Sequence, residues 1–315
     1  MDTSVTDGAQ DLAIAGFWRR IGAFFIDVIL LGIIGQVIGL LLYGALTRMG
    51  APARLIGFVI ALAYFGFFNS YLGKGQTLAN RWLGIRVVDA HGQPLSLPRS
   101  LLRYTILGVP FFLNGLPLPM PLLMSPVIGT LLAVLVFGGG FAIIYLYLFN
   151  RRTRQSLHDL VVGSYVVRVQ PEANQAHFAT VWRGHLVVTS VIILLTLAAP
   201  IVGKRLTQTD LFAGLIPLYQ TLEIQPHVMN AQVQRGWQSF NGQPAIHDIS
   251  AQLRLDTPMT DDAGYARSVA QVLVKGDPHL AQEDVVKVAL YYGYDIGIAS
   301  WWNRHNYSFK PQELQ

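Results

Sequence analysis

The chain has 315 residues, of which 52% are hydrophobic and 13% charged, and its formal net charge is +5. Soluble domains carry about 25% charged residues, so this composition and a mean hydropathy of +0.40 favour the lipid bilayer as the solvent. The chain contains no cysteine, which excludes thiol catalysis, disulfides and thiolate metal sites.

Five apolar runs predict transmembrane helices. A helix needs about 20 predominantly apolar residues to cross the hydrocarbon. The runs at residues 21–46 and 122–149 meet this length, and those at 55–72 and 186–202 are adequate. The run at 104–118 is short and rich in proline, so by itself it could also be a re-entrant segment.

Basic residues on the connections decide between these alternatives. They cluster between the second and third runs and again between the fourth and fifth, whereas residues 104–150 carry no charge. Cytoplasmic loops are enriched in Lys and Arg, so both basic loops should be cytoplasmic and an even number of crossings should separate them. The sequence therefore predicts five spans, with the N-terminus inside and everything after Val202 outside.

The first apolar run contains one acid, Asp27, seven residues after Arg20. At 100° per residue the two side chains share one face of a helix, roughly 10 Å apart along the axis. An ionised carboxylate facing lipid there would cost on the order of 2 to 3 kcal/mol, so Asp27 should face the bundle and meet a partner or water. It could be neutralised and fix helix packing, or it could serve as a site for a proton, a cation or a substrate.

The two basic loops predict short structures at the membrane surface. In LGIRVVDAHGQPLS, residues 84–89 form a predicted strand, residues 91–92 a turn and residues 93–96 the returning strand of a hairpin. In SLHDLVVG, residues 157–161 carry an apolar stripe suited to the membrane surface, and Asp159, off that stripe, could reach back to an arginine.

Taken together, four stretches resemble the RDD family of bacterial membrane proteins. They are RRIGAFFID at 19–27, KGQTLANRWLGIRVVDAHGQPLS at 74–96, LLR at 101–103 and RQSLHDLVVGSYVV at 154–167. The resemblance covers residues 15–169, and the arginine and two aspartates of the family name correspond here to Arg20, Asp27 and Asp159. It implies an integral protein of the bacterial cytoplasmic (inner) membrane. The role of such proteins is mostly unknown, and transport, including sodium/proton exchange, has been suggested for some members.

The resemblance also implies a charged cluster at the inner face of the membrane. Asp27 and Asp159 are expected there with one or more of Arg20, Arg81 and Arg103. These five residues are the binding site that the sequence predicts.

The predicted fold is an α-helical membrane bundle of five spans followed by a small α+β soluble domain. Residues 1–18 form a cytoplasmic tail and residues 19–169 the RDD-like domain with four spans. Residues 170–203 form a linker and the fifth span, and residues 204–315 form the external domain. Typical RDD proteins resemble the second of these parts alone, so the last two parts set this chain apart.

The tail has the patterns of a small α+β domain. IHDISAQLRLD alternates as a half-buried strand, and a helix should run from Asp261 or Asp262 to Gly276. Two further strands are predicted at residues 285–292 and 296–302, and VMNAQVQRGWQSF reads weakly as an amphipathic helix.

Two functions fit these predictions. An accessory or sensor protein would bind a ligand or partner through the external domain, while a small-solute or ion transporter would use Asp27 as its charged site. The dedicated domain favours the first function and the family resemblance the second. No enzyme, metal site or cofactor is predicted, because the tail lacks a nucleophile motif and metal-ligand spacing. The expected partners are anionic lipid headgroups and either a second copy of the chain or a membrane protein, but not nucleic acid.

Overall fold

The computed structural model describes residues 10–119, 122, 125–170, 173–207, 214–238, 246–276 and 284–314. Predictions that concern residues 1–9 of the N-terminal tail, residues 123–124 of the fourth apolar run and the gaps within the C-terminal tail lie outside the described residues. The described chain consists of a helical part up to Thr207 and an α+β part after it.

The helical part contains nine described helices. They are α1 Phe17–Leu41, α2 Tyr43–Met49, α3 Ala53–Phe68, α4 Leu78–Trp82, α5 Leu97–Leu113, α6 Pro126–Phe149, α7 Leu157–Val162, α8 Arg183–Thr196 and α9 Ala199–Thr207. Thr77 caps the start of α4, since its hydroxyl accepts a hydrogen bond from the Asn80 amide at 3.1 Å.

Three helices are long and apolar enough to cross a membrane, namely α1, α6 and the helix Arg183–Gly203 that joins α8 to α9. The pair α2 and α3, bent by 112°, could together provide a fourth crossing. Helix α5, where the third span was predicted, has only 17 residues. The structure therefore supports three to four crossings, and the fifth is not confirmed.

The predicted hairpin after α4 is wrong in its second half. Strand β1 is Gln10–Asp11, β2 is Ile85–Asp89, β3 is Ser164–Arg168 and β4 is Ala173–Gln175. β2 pairs antiparallel with β3, and not with residues 93–96. This pairing buries Ile85, Val87 and Val166 against Ala23 of α1, an apolar contact that the short polar return could not supply. Strands from the two basic stretches thus meet in one small sheet.

The α+β part has one four-stranded sheet with helices on one face. Its elements are α10 Leu215–Glu223, β5 Val228–Gln238, β6 Ile246–Leu255, α11 Ala263–Gly276, β7 Val285–Asp295 and β8 Ser300–Phe309. The strand order is β5-β6-β7-β8, with β6 and β7 parallel and the outer pairs antiparallel. The strand predicted from IHDISAQLRLD and the helix that ends at Gly276 are confirmed.

Two predictions for this part are corrected. The segment read as an amphipathic helix is β5, in which Ala231 and Val233 face the core while Gln232 and Gln234 face the open side of the sheet. This spacing of two is the period of a strand. The last two strands are also longer than predicted, and the turn between them lies at residues 296–299.

Candidate charged site and cavity of the helical bundle

Asp159 lies at the centre of a buried ion-pair cluster that joins three helices. Its Oδ2 is 2.6 Å from Nη2 of Arg20 on α1, and its Oδ1 is 2.7 Å from Nη2 of Arg103 on α5. Arg20 also donates to the backbone carbonyl of Arg154. Asp159 has no exposed surface, so this carboxylate depends on the two guanidinium groups for its charge compensation.

Local structure holds Asp159 in place. It is the third residue of α7 and completes a capping box with Ser156, whose backbone amide donates to Oδ2 at 3.3 Å. The Ser164 hydroxyl donates to Oδ1 at 3.0 Å. Burial disfavours the charged form of Asp159, but the charges of Arg103 and Arg20 outweigh it and hold its pKa well below the usual range.

His158 lies beside this cluster and is almost fully buried. Its Nε2 is 3.5 Å from Oδ2 of Asp159, and its Nδ1 has no hydrogen-bond partner among the described residues. Burial lowers the pKa of His158 to about 3, with Arg103 and Arg20 acting in the same direction and Asp159 against it. His158 is therefore neutral at neutral pH.

Asp27 occupies a different environment. Its Oδ1 accepts hydrogen bonds from the Tyr64 hydroxyl at 2.6 Å and from the backbone amide of Ala79 at 3.2 Å. Within the part of the chain that the structure describes, no Lys, Arg or His lies within ion-pair distance of it. Arg20, which shares its helix face, turns instead to Asp159.

Arg81 lies apart from both carboxylates. Its guanidinium packs over the ring of Phe68, 5.8 Å from the centroid, and donates to the Gly73 carbonyl at 3.5 Å. Of the five predicted site residues, the structure thus brings three together, while Asp27 and Arg81 each have other neighbours. Sequence reasoning missed Tyr64, although a lone hydroxyl near the end of the apolar helix α3 was a signal for it.

A cavity of about 340 Å³ lies next to Asp27 and next to the two arginines that pair with Asp159. Most of its wall is apolar and aromatic. Its polar lining consists of Arg20, Asp27, Asn69, Thr77, Asn80, Arg103 and His158. Because the arginines are already paired with Asp159, Asp27 is the acid of this wall that has no ion pair within the described residues. The cavity could accept a small solute with an apolar body and a cationic or hydrogen-bond-donating group.

Apolar helices held together by a buried Arg–Asp cluster define a multi-helix membrane domain. Residues 14–163 match the model of the RDD family, and this part of the chain belongs to that family. The match confirms the resemblance seen in the sequence. The residues after 163 are a C-terminal extension beyond the matched part.

Two relatives from Bacillus subtilis (strain 168) match the chain. The uncharacterized protein YckC is 26% identical over 157 residues, which cover 50% of this chain and 86% of that protein. The uncharacterized protein YxaI is 28% identical over 124 residues, covering 32% of this chain and 82% of that protein. Both cover only part of this chain, so neither informs the function of the whole.

Proposed function

We propose that the protein is an integral membrane accessory or sensor protein, whose C-terminal α+β part binds a ligand or partner and transmits its state to the helices. The observation that carries the proposal is the position of the turn between β7 and β8. This turn lies between α1 and α3, so a movement of the sheet would act directly on the bundle.

Glycines on the two helices make room for the turn. A Cβ atom at Gly39 of α1 would collide with the ring of Tyr294, and one at Gly57 of α3 would collide with the Ile296 carbonyl. A Cβ atom at Gly35 would lie 2.7 Å from that of Ala299. Because packed surfaces of this kind do not deform continuously, the helices and the turn should move as one unit.

Polar contacts fix the same junction. Nη2 of Arg54, at the start of α3, lies 2.7 Å from Oδ2 of Asp295, and its Nη1 donates to the carbonyl of Asn114 after α5 at 2.7 Å. The Tyr294 hydroxyl donates to Oε1 of Gln36 on α1 at 3.2 Å. The end of β7 is therefore tied to three helices.

We further propose five crossings of the bacterial inner membrane, with the C-terminal part outside. Two observations support this topology. The Asp159 cluster and the basic loops share the bundle end where α1 begins, whereas the β7–β8 turn meets the end where α1 finishes. Positive charge marks the cytoplasmic side, so the turn should enter from the outside.

Single cysteines test the topology, because the native chain has none. His91→Cys lies on the exposed turn after β2, and Trp301→Cys lies on the exposed strand β8. A membrane-impermeant maleimide should label position 301 but not position 91 in intact cells, and both after lysis. The reverse pattern would refute the topology.

A cysteine pair tests the coupling. A Cβ at Gly35 would lie 2.7 Å from that of Ala299, so a shift of the turn by about 1 Å gives the Cβ separation of about 3.5 to 4.5 Å that a disulfide needs, and Gly35→Cys with Ala299→Cys should form one. Gly44→Cys with Ala299→Cys should not, since no described atom lies within 4 Å of a Cβ at Gly44. A photo-reactive residue at position 301 should then give a defined cross-linked partner in cells, and the 35–299 disulfide should change its yield. A yield independent of the disulfide would contradict a sensor role.

The cavity beside Asp27 favours a second function, a small-solute or ion transporter. In this case reconstituted vesicles should show a solute or cation flux that Asp27→Asn abolishes and Asp261→Asn, on the exposed surface of the C-terminal part, leaves unchanged. The accessory function predicts no flux in the same vesicles.

A further inference from the structure

We propose that the junction between the sheet and the bundle holds a binding site for a small oxyanion of the phosphate type. The site is formed by Arg254 of β6 with its neighbours on the open face of the sheet. Register places Asn230, Arg254 and Tyr291 side by side on β5, β6 and β7. All three line a recess of about 110 Å³ that the loops at the end of the bundle cover.

Arg254 is the charged group of this recess that forms no ion pair with any residue the structure describes. It is only 4% exposed, and it donates one hydrogen bond, from Nη2 to the Gly293 carbonyl at 3.0 Å. Its Nε has no partner in the described part of the chain. Burial lowers the pKa of Arg254 from its ordinary value, which reflects the loss of hydration around the guanidinium. A buried cation without an anion is unfavourable, so a bound anion would stabilise this arrangement.

The acid of the recess compensates Arg254 only in part, because Asp295 favours its charged form but burial outweighs this effect and lowers its pKa. Asp295 also lines the recess, but its Oδ2 accepts from Nε and Nη2 of Arg54, and its Oδ1 accepts from the backbone amide of Gly297 at 2.7 Å. Arg54 and Asp295 therefore neutralise each other. The recess keeps one positive charge, which selects an anion.

The remaining groups fit an oxyanion. The ring of Trp302 lies 5.0 Å from Cζ of Arg254 and covers one face of the guanidinium, which leaves the in-plane N–H groups for a ligand. The buried Oδ1 of Asn230 has no partner among the described residues, and a rotation of this amide would present its NH₂ group as a donor. A phosphate group, free in solution or on a lipid head, supplies the matching acceptors.

Calorimetry on the full-length protein tests this site. Protein purified in a non-ionic detergent and freed of phosphate is titrated with inorganic phosphate at constant ionic strength in chloride. We expect one binding event per chain, weakened at least tenfold by Arg254→Gln and unchanged by Arg267→Gln, which removes an exposed arginine of α11.

A second variant keeps the test decisive if Arg254→Gln does not fold. Gln232 is an exposed residue lining the same recess, so Gln232→Glu should fold and place a carboxylate beside the proposed anion. It should also weaken phosphate binding at least tenfold. Phosphate binding that neither variant weakens would overturn the proposal.

Nanodiscs distinguish a free anion from a lipid headgroup. If the ligand is a lipid phosphate, nanodiscs of phosphatidylglycerol should raise the melting temperature above that in nanodiscs of a phosphate-free galactolipid for the native protein but not for Gln232→Glu, and inorganic phosphate should bind weakly. If the ligand is free, only inorganic phosphate should have this effect. A protein that responds to neither ligand has no such site. The site is independent of the sensor function, which the 35–299 disulfide tests separately.

Discussion

Two buried aspartates of the same bundle have opposite surroundings. Asp159 and Asp27 are 0% and 2% exposed. Asp159 forms ion pairs with two guanidinium groups from different helices. Asp27 instead accepts hydrogen bonds from neutral groups, the Tyr64 hydroxyl and the Ala79 backbone amide. Burial alone therefore does not indicate the role of an acid in a membrane protein. The charge of the groups that bind the acid is the better indication of its role.

This difference indicates that Asp159 stabilises the fold, whereas Asp27 is available to bind a solute. The pairs of Asp159 use both of its oxygens and join α1, α5 and α7, so no site is left for a ligand. Asp27 borders a cavity and has no cation to release, so a solute could interact with it without first breaking an ion pair. We expect substitutions of Asp159 to affect stability and those of Asp27 to affect binding.

Asp159→Asn should have the largest effect. It leaves two buried guanidinium groups without their anion, and the removal of one partner from a buried ion pair typically costs about 3 to 5 kcal/mol. The melting temperature in detergent should fall sharply. Asp261→Asn, whose side chain is 81% exposed, is the matched control and should melt like the native protein. Equal melting of the two variants would contradict the structural role of Asp159.

The comparison also explains which features the sequence could predict. The resemblance to the RDD family pointed to five residues, and the structure brings three of them, Arg20, Asp159 and Arg103, into contact. The local sequence could not identify the partner of Asp27. Arg20 lies on the same helix face as Asp27, but only the fold decides which of the two acids Arg20 pairs with. In the structure the partner of Asp27 is Tyr64 of α3, whose hydroxyl donates to its carboxylate.

Long-range pairing explains the errors in the strands. The turn after β2 is present, with the Asp89 carboxylate accepting from the His91 amide at 2.8 Å, so the local signal was correct. The strand that pairs with β2 is nevertheless β3, which a local pattern cannot identify. The prediction of a helix for the β5 segment was wrong for a related reason. Its apolar residues are few, and β5 is an edge strand whose conformation depends on its pairing with β6.

Lowering the pH should have the second-largest effect, through His158. Its pKa is about 3 in the folded protein and near 6.5 in an unfolded chain. Below about pH 6.5 the unfolded state therefore binds a proton that the folded state does not, and the free energy of unfolding falls as the pH falls towards 3. At pH 5 the loss should be roughly 2 kcal/mol.

Melting curves from pH 7.5 to 5 check this effect. His158→Gln should flatten the curve, whereas His305→Gln, which removes an exposed histidine, should not. Asp159 does not contribute to this slope between pH 7.5 and 5. Because its pKa is depressed in the folded protein, its contribution to the free energy of unfolding is complete above its ordinary pKa near 4 and is lost only below that pH. An unchanged slope in His158→Gln would show that the neutral histidine is not the cause.

Asp295→Asn should have an intermediate effect. The Arg54–Asp295 pair resembles the Asp159 cluster in geometry, but its side chains are 19% and 24% exposed, so solvent replaces part of the lost interaction. We expect a cost of about 1 kcal/mol and a lower yield of the 35–299 disulfide. Asp284→Asn, which removes a carboxylate from the start of the sheet far from the bundle, should leave that yield unchanged. The same disulfide yield in both variants would show that the Arg54–Asp295 ion pair does not contribute to the docking of the turn.

Asp27→Asn should have the smallest effect on stability, and it completes the comparison. The amide oxygen of asparagine can still accept from the Tyr64 hydroxyl and the Ala79 amide, and no cation loses its partner. The cost should stay below about 1 kcal/mol, as for a neutral hydrogen-bond exchange. Melting of Asp27→Asn beside Asp159→Asn measures this difference directly. If the two variants lose the same stability, then Asp27 also compensates a charge in the folded protein, and the cavity beside it would not have a carboxylate free for a solute.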